Sequence, residues 1–250
     1  MGRKGGSRHL KRMPAPAFWP IKTKEFQWAI RPKPGPHQAE ICIPLSILLR
    51  DCLHVARTAR EVGLILSQGK VRVDGRVRRE AKYPVGLMDV VEIAGVKKAY
   101  RVIPVAGKGL ALVEAAGDTK GFKMCKIDDK RTVEHGHLQI CLHDGRNVLL
   151  EVQNPTNPSE DVYSTGSSLQ IEIPSQKILK QVKMTEGAYA LVTAGANLGR
   201  HGSISHIEPG TATRPGIVEI KDSKGEAFRT VLDYVFVVGE GSPLIELSGA

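Results

Sequence analysis

The chain has 250 residues, 41% of them hydrophobic, with 36 Lys/Arg against 26 Asp/Glu and a formal net charge of +10. That length accommodates two or three small domains, and the cationic excess calls for an acidic partner. No apolar run approaches the roughly 20 residues of a membrane span, and no apolar signal region opens the chain. Gly6 stands where a myristoylation motif wants Ser or Thr, so the reading is a soluble cytoplasmic protein.

Charge is unevenly spread: net +8 over 1–38, +5 over 39–101, −3 over 102–175 and zero over 176–250. A polyanion is therefore expected on the first hundred residues. Cys42, Cys52, Cys125 and Cys141 form no Cys-x-x-Cys pair, which argues against a zinc finger and a disulfide framework. They are expected to be small buried hydrophobes.

Residues 1–38 are rich in Pro and Gly, including Pro14, Pro16, Pro20, Pro32, Pro34 and Pro36. Such a stretch is expected to be an arm, disordered when free, that folds against RNA. Its cations Arg3, Lys4, Arg8, Lys11, Arg12, Lys22, Lys24 and Arg31 are candidates for phosphate contact. Phe18, Trp19 and Trp28 serve either stacking on RNA or anchoring on the protein's own core.

Residues 44–53 predict a short amphipathic helix with Pro44 in its first turn and Leu45, Leu48, Leu49, Cys52 and Leu53 on one face. Residues 57–93 hold the densest set of signals. Thr58 and Glu61 form a capping box, and Ala59, Val62, Ile65 and Leu66 recur at helical spacing. Gly69 fits the helix stop. Val71 and Val73 alternate with Lys70 and Arg72, and Asp74-Gly75 favours a type I′ turn that returns Arg76, Val77, Arg78 and Arg79 antiparallel. Leu87, Val90, Val91 and Ile93 supply a closing strand. Arg57, Arg60, Lys70, Arg72, Arg76, Arg78, Arg79 and Lys82 make the polar side of this unit a phosphate-facing platform.

Over 97–175 short β-prone runs recur (YRVIPV, LALVEA, FKMCKI, HLQICL, NVLLEV, LQIEI), separated by turns such as Asp144-Gly145 and Asn154-Pro155. They predict a central antiparallel β domain whose acidity makes it a poor primary RNA binder. In 176–250 a strand, a loop carrying Gly195, Gly199 and Gly202, and a second strand predict a small SH3-like barrel, with Asn197, Arg200 and His201 at the loop tip.

Catalytic patterns are absent from the sequence. No Gly-Lys-Ser/Thr loop opens a helix, and no nucleophile elbow is present. His135 and His137 lack further ligands at metal spacing and read as loop histidines. Asp128, Asp129 and Asp144 read as turn and cap residues.

Residues 57–93 resemble the S4-type RNA-binding domain, and 186–207 is similar to a KOW motif, a glycine-bearing β-hairpin. With the opening RHLKRMPAP, the stretch KYPVGLMDV, the MCKI run and the NLGRHG loop, the chain resembles the archaeal and eukaryotic small-ribosomal-subunit protein family S4e over its whole length. The resemblance implies an α+β, multidomain protein. Its parts are a basic extended arm (1–38), an S4-type helix pair with β-hairpin (39–96), a central antiparallel β domain (97–175), and an SH3-like barrel with KOW motif (176–250). It also implies a non-enzymatic constituent of the small subunit, cytoplasmic and without cofactor or metal. Its partners would be small-subunit ribosomal RNA and neighbouring ribosomal proteins, with no membrane and no small-molecule substrate. Asn197, Gly199, Arg200 and His201 would supply loop contacts, although Ala196 stands where relatives often carry a basic or polar residue. An RNA-modifying enzyme with an appended S4-type domain, or a KOW-bearing transcription factor, are the competing readings.

Overall fold

A computed structural model describes residues 9–115, 117–153, 161–211, 213–222 and 225–247. Arg3, Lys4, Arg8 and the Asn154-Pro155 turn lie outside the described residues. From residue 9 onward the arm is packed against the protein, contrary to the disorder expected of it. β1 (Leu10–Lys11) pairs with β2 (Trp28–Ala29). Between them Trp19 is 2% exposed and its indole Nε1 donates to the Cys42 carbonyl at 2.9 Å. Arg12 donates through Nε and Nη2 to the Ile21 carbonyl at 3.0 and 2.7 Å. One buried indole is worth about 2–3 kcal/mol, which offsets ordering of a proline-stiffened segment that composition alone would leave loose.

β3 (Ile43–Pro44) leads into α1 (Leu45–Ile47), which continues as a wider turn over Leu48–Cys52. Pro44 caps this helix and does not enter its first turn. Leu45, Leu48 and Leu49 are fully buried, while Cys52 and Leu53 are half-buried. They pack on Val62 and Leu66 of α2 (Ala59–Ser67). Thr58 Oγ1 accepts from the Glu61 amide at 3.3 Å, and the Glu61 carboxylate accepts from the Arg57 amide at 2.7 Å. The helix ends in paired hydrogen bonds, Gly69 N to Leu66 O at 3.0 Å and Lys70 N to Ile65 O at 3.4 Å.

β4 (Val71–Val73) then turns through Asp74 (φ 51°) and Gly75 (φ 71°), the two positive φ values of a type I′ turn, into β5 (Arg76–Val77). The return strand is shorter than the expected Arg76–Arg79. β6 (Pro84–Val85) pairs with β3, and β7 (Val90–Ile93) pairs with β4. Val71, Val73, Val91 and Ile93 join one core with the two helices and Trp19.

β8 (Ala99–Val105) and β9 (Gly109–Ala115) add to this sheet in the order β5-β4-β7-β8-β9. Thus YRVIPV and LALVEA extend the hairpin's own sheet, although the sequence suggested a central β domain. The physical reason is shared burial, since Val102, Leu110 and Leu112 complete the helix-side core. A second sheet joins β10 (Phe122–Thr132), β11 (Leu138–Leu142), β12 (Asn147–Leu150), β13 (Ser168–Glu172) and β14 (Ile178–Val182) in the order β12-β11-β10-β13-β14. Its last strand comes from beyond residue 175. Asp128 and Asp129 lie on β10 at a register shift and not in a turn. The third sheet, β15 (Ala188–Val192), β16 (His201–Glu208), β17 (Ile217–Lys221), β18 (Ala227–Val231) and β19 (Val235–Glu240), runs β18-β17-β16-β15-β19. Met88, Ile103 and Met124 enter its core, so the three sheets are fused. The described architecture is mostly β with two short helices, less helical than the α+β class expected.

Where the sheets meet, a cluster of charged side chains is buried. Lys123, 1% exposed, places Nζ 2.9 Å from Asp74 Oδ2, 2.5 Å from Asp89 Oδ1 and 3.0 Å from Asp144 Oδ2. Arg146 donates to Asp74 at 2.5 Å and to Asp144 at 3.1 Å. Asp74 Oδ1 accepts from the Val90 amide at 3.0 Å, and Asp89 Oδ2 accepts from the Gly86 amide at 2.9 Å and lies 3.1 Å from His37 Nε2. The arm, hairpin and second sheet are thereby tied at one point. Asp144, expected as a turn residue, is instead a buried member of this cluster. Burial opposes ionisation of Asp89 and Asp144, but Lys123 acting together with His37 at Asp89, and with His143 and Arg146 at Asp144, holds both carboxyls low. Burial and the charge of Asp89 push Asp74 upward. Beside the cluster, His143 Nδ1 accepts from the Lys126 amide at 3.2 Å and Nε2 lies 3.3 Å from the Leu87 carbonyl, which fixes a neutral ring. Burial, and secondarily Lys123, push its pKa down to about 4.

Lys123→Met leaves three carboxylates facing one arginine, and urea unfolding should show a loss of about 3–5 kcal/mol; an unchanged midpoint contradicts the cluster's structural role. The unfolded His143 takes its proton near 6.5 and the folded one near 4, so its contribution is complete above that window and falls as pH drops through it. The stability difference between wild type and His143→Gln should therefore shrink from pH 7 to pH 4. A difference that is flat with pH contradicts the neutral ring.

Candidate nucleic-acid interface

Strand alternation turns Val71 and Val73 into the core and Arg72 outward, opposite Val77 and Glu92. Arg57, Arg60, Lys70, Arg76, Arg79 and Lys82 are also exposed, so seven of the eight cations expected on this unit reach solvent. Arg78 differs: it is half-buried, its guanidinium 4.4 Å over the Tyr83 ring. It braces the segment after β5, a role strand periodicity does not reveal.

The surface is furrowed. One cleft is lined by Lys70, Arg72, Lys97, Lys98 and Lys120 with a single carboxylate, Glu92. Lys97, Lys98 and Lys120 are basic residues that the sequence reading passed over. The join of β8 to β7 brings the first two to the hairpin, and Lys120 Nζ donates to the Lys97 carbonyl at 3.2 Å. A strand-pairing signal between 90–93 and 99–101 was the one clue available. A second groove holds Arg78, Arg79 and Lys82 together with Lys33, which pairs with Glu80.

On the arm, Lys11, Lys22, Lys24 and Arg31 are exposed, whereas Arg12 is turned inward on the Ile21 carbonyl. Trp19 anchors on protein and Trp28 stays 54% exposed. The C-terminal loop residues are committed internally. A Cβ on Gly199 would lie 2.3 Å from Ala106 N, so the loop backbone presses directly on the end of β8, and its φ of +80° also favours glycine. His201 is buried, with Nδ1 2.8 Å from the Tyr189 hydroxyl. Asn197 donates to the Arg229 carbonyl at 3.1 Å. Arg200 covers the Phe228 ring at 4.1 Å and pairs with Glu226 at 3.3 Å. These four residues lie apart from the cations of the helix–hairpin unit in their bonding.

His135 and His137 share a single turn, and His137 Nδ1 accepts from the Val152 amide at 3.1 Å. Among the described residues Cys125, His143 and Asp144 bring ligand atoms within 4.8 Å. Lys123 and Arg146 already neutralise Asp144, so this trio is part of the ionic cluster. Burial pushes the Cys125 thiol far above its ordinary value, which disfavours a thiolate ligand. Cys42 is likewise buried, and all four cysteines are free thiols. No helix among the described residues is long and apolar enough to cross a membrane.

Three family models match: the RS4NT (NUC023) domain over residues 4–40, the S4 domain over 48–91 and Ribosomal family S4e over 96–178. Small ribosomal subunit protein eS4 of Staphylothermus marinus is 49% identical over 247 residues, covering 99% of this chain and 98% of the relative. That of Methanocaldococcus jannaschii is 43% identical, covering 99% and 100%. The crystal structure of the 30S ribosomal protein S4e from Thermoplasma acidophilum superposes with a TM-score of 0.65 at 31% identity, covering 79% of this chain and 95% of that one. The chain belongs to the S4e family of ribosomal proteins.

Proposed function

We propose that the chain is a structural constituent of the small ribosomal subunit, acting in the cytoplasm, that holds small-subunit ribosomal RNA by phosphate position and duplex shape. The observation that carries this reading is the row of exposed cations Arg72, Arg76, Arg79 and Lys82 on a hairpin pinned through Asp74 to buried Lys123. Duplex RNA hides its base edges in a deep, narrow groove, so a rigid cationic ridge suits its backbone. Lys97, Lys98 and Lys120 extend the ridge. Family membership favours a non-enzymatic, structural role.

In this reading the four parts, 1–38, 39–96, 97–175 and 176–250, are an RNA-facing arm, an S4-type domain, a central β domain and an SH3-like barrel with a KOW hairpin. The first two face RNA together with Lys97, Lys98 and Lys120, which the strand pairing brings beside the hairpin, and the rest of the acidic central part and the C-terminal part face neighbouring ribosomal proteins. The internal bonds of Asn197, Gly199, Arg200 and His201 make the KOW loop a brace between sheets, leaving contact with RNA to the front half.

Reversing two exposed charges, Arg76→Glu with Arg79→Glu, should leave the free energy of unfolding within about 0.5 kcal/mol of wild type. Binding to a small-subunit rRNA fragment should weaken, and the slope of log affinity against log salt should fall by about 1.5. On a sucrose gradient the variant should be depleted from small subunits. An unchanged salt slope and normal incorporation would remove the hairpin from the interface.

A further inference from the structure

The arm carries a second kind of site. In the β1–β2 pair the cross-strand partners are Leu10 with Ala29 and Lys11 with Trp28. The first pair faces the core and the second faces out, so Lys11 Nζ sits 5.7 Å from the Trp28 ring centroid, and the His9 ring meets the indole edge at 5.6 Å. Trp28 remains 54% exposed, and Phe26 two residues before it 60%. Neither is needed to anchor the arm, because Trp19 does that. Both border a groove of about 1000 Å³ between the arm and the start of α2, whose walls also include Lys22, Arg50, Asp51 and Arg57. The acidic groups there are already engaged, Glu25 with Lys22 at 3.5 Å and Asp51 with Arg50 at 2.8 Å. Arg57 leaves the groove cationic, and Lys11 stands at its edge against the Trp28 ring.

We propose that this groove takes an unpaired nucleotide, its base stacked on Trp28 and its phosphates held by Arg57 and Lys11. The proposal rests on the RNA-binding reading above and adds a single-stranded element to it. An apolar protein patch would cover the indole but strand the cations without partners. A nucleotide supplies a flat π-face and a negative charge at once. Unpaired bases are also the part of folded RNA that an exposed aromatic can reach, since paired ones are stacked on each other.

Fluorescence of the full chain tests this directly, because buried Trp19 gives a constant background and Trp28 reports on the groove. The probe is a ten-nucleotide single-stranded oligoadenylate, with a duplex of equal length as comparison. The expected result is quenching by the single strand and not by the duplex. Read by the fluorescence anisotropy of a labelled oligoadenylate, affinity should fall roughly tenfold in Trp28→Ala, with most of it regained in Trp28→Phe. Absence of quenching, or equal affinity of Trp28→Ala and wild type, overturns the proposal. If Trp28 is silent while Arg76→Glu with Arg79→Glu still loses rRNA binding, the stacking site falls and the phosphate surface stands. If neither change affects RNA binding, both fall. A photocrosslinker at position 28 in assembled subunits should capture RNA; capture of protein alone overturns the proposal.

Discussion

The ammonium of Lys123 is the contact on which the architecture turns. It sits among three aspartates drawn from the hairpin turn (Asp74), the segment before β7 (Asp89) and the turn after β11 (Asp144). No single sheet could satisfy that charge. Buried ion pairs are poor sources of net stability compared with apolar packing, but breaking one is costly, so they fix which surfaces meet. Here they fix the orientation of the basic hairpin on the second sheet. Gly75 at the hairpin tip lies close enough to Ile173 and Pro174 that an added Cβ would be 3.0 and 3.2 Å from them.

That restraint has a functional meaning. A phosphate surface made of flexible lysines on a loose hairpin would lose entropy on binding, whereas cations on a hairpin anchored at its turn by Asp74 and Gly75 are already in register. The arm is tied into the same cluster by His37 and into the helix core by Trp19. The C-terminal sheet then braces the end of β8 through Gly199. Three layers of support stand behind one cationic face.

Local signals were legible in the sequence and distant ones were not. The capping box at Thr58 and Glu61, the stop at Gly69 and the Asp74-Gly75 turn each depend on residues within a few positions, and all three form as their chemistry dictates. Sheet membership was not legible, because an antiparallel strand has the same alternation whichever neighbour it pairs with. Hence β8 and β9 joined the hairpin's sheet and β14 the second. Asp74 and Asp144 carry only turn signals in the sequence, since their partner lies 49 and 21 positions away, and Lys123 in FKMCKI gives no sign that both faces of its strand are covered. The seven outward cations of the helix–hairpin unit were visible from periodicity. The inward turn of Arg12, Arg78 and Arg200 was not, because each is set by a carbonyl or an aromatic ring supplied by the fold.

Amide hydrogen exchange of the free protein tests most directly whether the hairpin is held before RNA arrives. The Asp74 amide donates to the Val90 carbonyl at 2.9 Å and the Val90 amide donates to Asp74 Oδ1 at 3.0 Å, both beside Lys123. If the ionic cluster anchors the hairpin, these two amides exchange only with global unfolding, as slowly as those of β10. Rapid exchange in the free protein, slowed only when rRNA is added, would show a hairpin ordered by its ligand and would contradict a preformed cationic face.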